Sequence, residues 1–166
     1  MPEQQRAKLP VEDRLDIQEL FARYCWALDT GDVDGVLACF TEDGCLDHQP
    51  QGRFVGHDRI REILADLWYG RPGWFIGRQH LANHFLIAPE GPDRARVKAF
   101  FSILQHNVDY RTNFVFGLGS WNNVCVKRDG VWLFESLTVE KWLADGIPWV
   151  GEARARSGQA GTPVAP

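Results

Sequence analysis

The hydrophobic period of this chain changes once, near Gly77, and that change limits the folds open to it. Before Gly77 the apolar residues recur as on an α-helix. Between Val11 and Thr30, Ile17, Leu20, Phe21, Tyr24 and Leu28 fall at spacings of 3, 4, 7 and 11 and form one stripe. Gly31 stands where helices often end in a left-handed residue. Asp32 is placed to cap a second, short helix, Val33 to Phe40, with Val36, Leu37 and Phe40 on its apolar face. A Thr-Glu-Asp-Gly turn at 41–44 leads to a short strand around Cys45 to His48. His57 to Tyr69 reads as a third helix, with Ile60, Ile63, Leu64 and Leu67 on one side and His57 as a surface or capping residue.

After Gly77 the period is two. Strands are predicted over Arg78 to Ala88, Arg94 to Val108, Asn113 to Arg128 and Val131 to Trp142. Glu90-Gly-Pro-Asp93 makes one turn, and Asp129-Gly130 is a strong two-residue hairpin signal. Helices first and an antiparallel meander second mean an α+β fold. A doubly wound parallel sheet would need helices between the strands, and the second half has none. Residues 11–150 are expected to form one domain. Residues 1–10 read as a flexible arm, and 151–166, rich in Gly, Ala and Pro, as a mobile tail.

Charge excludes several partners. The net charge is −4 and the Lys and Arg residues are scattered, so no basic stripe suits a phosphate backbone and nucleic acid is not expected. No apolar run approaches the roughly 20 residues that a membrane helix needs, and Met1 to Pro10 carries no signal-peptide core. Cys25, Cys39, Cys45 and Cys125 form no C-x-x-C pair and sit in apolar sequence, which suggests buried free thiols and a cytoplasmic location. Seven Trp among 166 residues exceed what core filling usually needs. Some of these rings, Trp68 and Trp121 among them, are expected to line a ligand cavity, and others to pack a subunit interface.

Three apparent motifs fail on spacing. Asp32-Val-Asp34-Gly35 resembles a calcium loop, but the terminal ligand positions fall on Thr30 and Thr41. His80 and His84 would lie about 13 Å apart along a strand, too far for one zinc ion. Gly117-Leu-Gly119 lies inside a strand with no helix to receive a phosphate, and marks a bulge or bend instead.

The residues left for chemistry are an acid and several imidazoles. Asp29 ends the first helix, where a carboxylate faces the negative end of the dipole and a cationic partner would relieve the conflict. Alternation puts Arg78, His80, Ala82, His84 and Leu86 on one face of the first long strand, as the wall of a semi-polar cavity. His106 shares a face with Phe100, Ser102 and Leu104 and is expected to add to that wall. His48 follows Asp47 on the short strand, so the two side chains point to opposite faces.

Four stretches carry a family resemblance: Asp16 to Asp32, Phe40-Thr-Glu-Asp-Gly44, Gly77-Arg-Gln-His80-Leu-Ala-Asn-His84 and Asp129-Gly-Val-Trp132. Over roughly residues 11 to 145 the chain resembles the SnoaL-like proteins. These belong to the cone-shaped α+β barrel superfamily, with scytalone dehydratase, ketosteroid isomerase and a hexachlorocyclohexane dehydrochlorinase. The resemblance implies a cone-like, curved antiparallel sheet wrapped around the N-terminal helices and enclosing an Asp–His dyad. By the pattern of the dehydratase and dehydrochlorinase branch, His80 removes a proton from substrate carbon and Asp29 orients the imidazole and stabilises its charged form. That is sound chemistry, because an imidazole with pKa near 6.5 serves as base and then acid at neutral pH.

The departures narrow the substrate. At the positions of the two tyrosines of scytalone dehydratase this chain has Leu28 and His48, and His106 is an approximate counterpart of its second active-site His. The basic residues of the dehydrochlorinase have no clear match, and the dyad does not copy the strand-borne Asp base of the ketosteroid isomerases. The expected activity is that of a lyase or isomerase without metal or organic cofactor, acting on a small, largely apolar ring compound. Tyr24, His48, His84 or His106 would donate a hydrogen bond, and Trp68 and Trp121 would line the pocket. A homodimer or homotrimer is expected. The alternatives are a non-catalytic ligand-binding module and a structural subunit like the small subunit of ring-hydroxylating dioxygenases.

Overall fold

A computed structural model describes residues 8–49, 51–70, 73, 75–107 and 109–142, with the Leu67 side chain excepted. Most of the expected arm, the whole 151–166 tail, the 143–150 end of the expected domain, and Trp74, Val108 and Trp149 lie outside the described residues.

Helix α1 spans Val11–Thr30 and ends on Gly31 in the left-handed conformation (φ 78°), whose backbone N–H bonds the Ala27 carbonyl. Asp32 caps α2 by accepting from the Gly35 N–H, but α2 is only Val33–Leu37. Phe40, expected on that helix, instead opens strand β1, Phe40–His48. The expected 41–44 turn is part of that strand and produces a bulge against its neighbour between Phe40 and Cys45. Strand β2, Gly52–Val55, which the sequence pattern did not suggest, pairs antiparallel with β1. Helix α3, His57–Glu62, continues into a π-helical turn over Ile63–Tyr69. His57 follows Gly56, the residue that caps α3.

Strands β3 (Arg78–Pro89), β4 (Arg94–Asn107), β5 (Thr112–Arg128) and β6 (Val131–Lys141) form the antiparallel meander. The β5–β6 hairpin turns on Asp129 (φ 50°) and Gly130 (φ 82°), both left-handed as a type I′ turn requires. The sheet order is β2-β1-β6-β5-β4-β3, and β1 lies parallel to β6. The sheet is therefore open and mixed, with an antiparallel majority.

Helix α1 lies across the inner face of this curved sheet. Phe21 stands edge-on to Phe134 at 5.1 Å and meets Trp121 at 5.7 Å, and Tyr24 stands edge-on to both Phe134 and Trp121. Fully buried aromatic side chains of this size dominate a core's stabilisation. The far end of α1 is tied down by Asp13, whose carboxylate accepts from Lys127 Nζ (2.7 Å) and Trp132 Nε1 (2.9 Å). Both donors hold its carboxyl below the usual carboxylate range.

Curvature is concentrated at irregularities. A bulge in β3 between Asn83 and Leu86 holds His84 at φ 53°. A second shift between Ile103 and Leu104 of β4 faces the Phe116 region of β5, beside Gly117. Two residues on, Gly119 underlies Phe101. A Cβ there would stand 2.3 Å from Phe101 Cζ and 2.3 Å from the Glu140 carbonyl oxygen. The four cysteines are buried and unbridged. Burial raises the Cys25 and Cys125 thiols to about 12 and Cys39 to about 11. Among the described residues no helix is long and apolar enough to cross a membrane.

Candidate active site

The packing of α1 against β3 brings the end of one to the start of the other. Asp29 Oδ1 lies 2.5 Å from His80 Nδ1, and Asp29 Oδ2 accepts the His80 backbone N–H at 2.6 Å. The side chains are 13% and 9% exposed. One carboxylate thus holds both the ring and the backbone of His80. The ring nitrogen facing a carboxylate carries the proton, so in the neutral imidazole Nε2 keeps the lone pair. Burial of this kind strengthens a charge-assisted hydrogen bond relative to one in water.

His80 lies on the wall of a cavity inside the cone, of about 40 Å³. That is space for one or two waters. Tyr24, Leu28, Trp68, Phe101 and Trp121 form its aromatic and aliphatic wall. Phe75 joins two other rings of the wall. Its ring stacks on Trp68 (5.8 Å) and on His80 (5.9 Å), and Tyr69 stands edge-on to it at 5.3 Å. The Tyr69 hydroxyl donates to the Leu28 carbonyl, fixing the π-helical turn to the end of α1.

The polar part of the wall comes from His48, Gln51, Arg78 and Lys141. His48 is buried, edge-on to Trp68 at 5.3 Å, and its Nδ1 has no partner among the described residues. Burial first, and the Lys141 charge second, lower its pKa to about 4, so it is a neutral imidazole at neutral pH. Gln51 Oε1 accepts from Trp68 Nε1 at 2.9 Å. The Arg78 guanidinium lies over the rings of Phe75 (4.5 Å) and Phe116 (4.0 Å), and its Nε donates to Gln105. Lys141 follows Leu137 and Val139 on the inward-facing positions of β6 and is half-buried. Burial and the neighbouring Arg78 lower its pKa.

On the other side of the dyad lies an outer groove of about 370 Å³ between α1 and β3, lined by Trp26, Gln79 and Phe85 as well as Asp29 and His80. Trp26 is 74% exposed there.

The structure brings together Asp29, His80, Tyr24, His48, Trp68 and Trp121. It does not bring in His84 or His106. The β3 bulge reverses the alternation, so Phe85 and Ile87 turn toward the core while His84 and Leu86 turn out. His84 binds Asn83 and meets Phe100 on the outer face. The core face of β4 is Ala99, Phe101, Ile103 and Gln105, which leaves His106 outside, bound to Asn113. Phe75, Gln51 and Lys141 were missed as site residues, whereas alternation had already put Arg78 on the cavity wall with His80, without a role. Of the three, Lys141 left a signal, as a cation in phase with Leu137 and Val139 on a strand's apolar face. Among the described residues no three metal-ligating side chains cluster.

No curated protein sequence matches the chain significantly. Solved structures do. A cystatin-like-fold protein of unknown function from Nostoc punctiforme superposes with TM-score 0.72 at 22% identity, over 83% of this chain and 97% of the other. A Novosphingobium aromaticivorans protein provisionally named an aromatic ring hydroxylase gives TM-score 0.69 at 26% identity, covering 82% and 93%. A protein of the same organism provisionally named a scytalone dehydratase gives 0.69 at 20%, covering 91% and 97%. The SnoaL-like domain profile matches residues 10–138. With the helices, the cone sheet and this match in agreement, the chain belongs to the SnoaL-like family.

Proposed function

We propose that this protein is a cofactor-independent lyase or isomerase of the dehydratase type, acting on a small hydrophobic cyclic substrate. The carrying observation is the double grip of Asp29 on His80, on the wall of an aromatic-lined cavity. Nε2 of His80 takes a proton from a substrate carbon next to a carbonyl or leaving group. Asp29 holds the tautomer and stabilises the imidazolium that forms. The imidazolium then returns the proton, to another carbon in an isomerisation or to a departing hydroxide in a dehydration. Tyr24 or the neutral His48 donates to the oxygen on which charge develops.

The 40 Å³ cavity must open before a ring fits, and Phe75 is the wall side chain stacked on His80. The test is solvent-deuterium exchange into a cyclic ketone with acidic α-hydrogens, 2-tetralone. The wild type and Trp26→Ala, altered only in the outer groove, are expected to catalyse exchange. His80→Ala and Asp29→Asn are expected to lose it by about 10²-fold or more. Equal exchange in all four proteins overturns the dyad. Ligand binding without exchange in the wild type favours the binding-module reading.

The expected homo-oligomer is also kept as a proposal. Leu81, Leu86, Phe100, Leu104, Val115 and Leu118 are exposed side by side on the outer face of β3, β4 and β5. A sheet face left to water is normally polar, so this one suits a second copy of the chain.

A further inference from the structure

Among the described residues that line the cavity two are cationic, Arg78 and Lys141, and none is a carboxylate. Asp29 stands behind His80 and is engaged by it twice. A buried cation is costly unless a negative group compensates it. Lys141 has no ion pair among the described residues, and it sits on the face that otherwise presents Leu137 and Val139 to the core. A lysine placed there only for packing would be expected to lead its charge outward. The second irregular feature lies on the same wall. His48 is 6% exposed, and its Nδ1 lacks a partner among the described residues. A neutral imidazole there can donate to an oxygen.

We propose that the cavity takes an organic anion, a small ring bearing a carboxylate or an ionised hydroxyl, with its charged oxygen against Lys141 and within reach of His48. The aromatic wall of Trp68, Trp121 and Phe101 holds the ring, and the Arg78 guanidinium adds to the positive potential. This rests on the proposed function for the identity of the pocket as the substrate site, and it names the substrate class. It also explains why the wall can tolerate Lys141: the ligand completes the ion pair.

Benzoate and benzamide have nearly the same shape and differ in charge, and neither carries an acidic carbon-bound hydrogen for His80 to remove. Binding of the two is to be compared by titration of tryptophan fluorescence at neutral pH. The wild type is expected to bind benzoate at least ten-fold more tightly, Lys141→Met to lose that preference, and Lys141→Arg to keep most of it. Trp26→Ala, altered only in the outer groove, is expected to keep it as well, and because benzoate binding needs no proton transfer, failure of the catalytic reading and failure of the anion site are distinguishable. Equal affinity of the wild type for both compounds, no binding of benzoate, or an unchanged preference in Lys141→Met overturns the proposal.

Discussion

Asp29 binds His80 twice, once at the imidazole Nδ1 and once at the backbone N–H. The two contacts can be separated by substitution. Asn at position 29 keeps one oxygen and can satisfy the backbone N–H, but it cannot stabilise an imidazolium. Ala removes both partners and leaves a half-buried donor unsatisfied, at a cost of about 1–3 kcal/mol. Asp29→Asn should therefore lose exchange activity with little loss of stability, and Asp29→Ala should lose both. Paired urea denaturation and exchange assays check this.

Stability should fall with acid through His48. Its folded pKa of about 4 lies below its ordinary 6.5. Between those values the unfolded chain binds a proton that the folded chain does not, so stability rises with pH across the window. On acidification it is lost at roughly 1.4 kcal/mol per pH unit, levelling off below the folded value. Urea midpoints measured from pH 7 to pH 4 should decline less steeply in His48→Gln.

Phe75 should control access. Phe75→Ala removes a ring 8% exposed that stacks on Trp68 and His80. Such a truncation costs about 3 kcal/mol if the site does not collapse. It should also enlarge the cavity and speed ligand association, read by stopped-flow fluorescence.

Gly119 is the least tolerant glycine of the sheet. The Cβ of Gly119→Ala would meet a backbone carbonyl, which cannot swing away as a side chain can. A loss of about 1–3 kcal/mol is expected, measured by denaturation, together with displacement of Phe101 from the cavity wall.

Charge on the outer face should separate subunits. Phe100→Asp or Leu104→Asp is expected to yield a smaller species than the wild type in sedimentation, with the Asp29–His80 site unaffected in exchange assays.

These sites differ in how far local sequence determined them. Helix α1 was read to its observed ends because its stripe and its Gly31 stop are both local signals. The hairpin at Asp129-Gly130 was equally clear, because only left-handed residues fit it. The errors come from tertiary effects. Alternation along β3 holds until His84, whose left-handed backbone shifts the phase by one and sends the second imidazole out. On β4, Phe100 and Leu104 are as apolar as Phe101 and Ile103, so the pattern placed His106 on a face without saying which face was inner. That ambiguity has the same origin as the outer apolar patch: both faces of the sheet carry apolar side chains. Strand β2 has four residues and weak alternation. The Asp29 partnership needs helix packing that no single segment encodes.

The parallel pairing of β1 with β6 bears on how the molecule is made. Strand β1 finishes at His48, and the strand that must lie beside it begins at Val131. On a ribosome, the early hairpin of β1 and β2 waits with one edge open until nearly all the described chain has emerged. Pairing across so wide a gap in sequence is slow, and it leaves an unpaired edge exposed meanwhile. His48 arrives with the first of these strands, His80 midway and Lys141 with the last, so the pocket has no complete wall until synthesis of the sheet ends. A translational pause before Val131 would prolong the interval in which that edge of β1 is open to other chains.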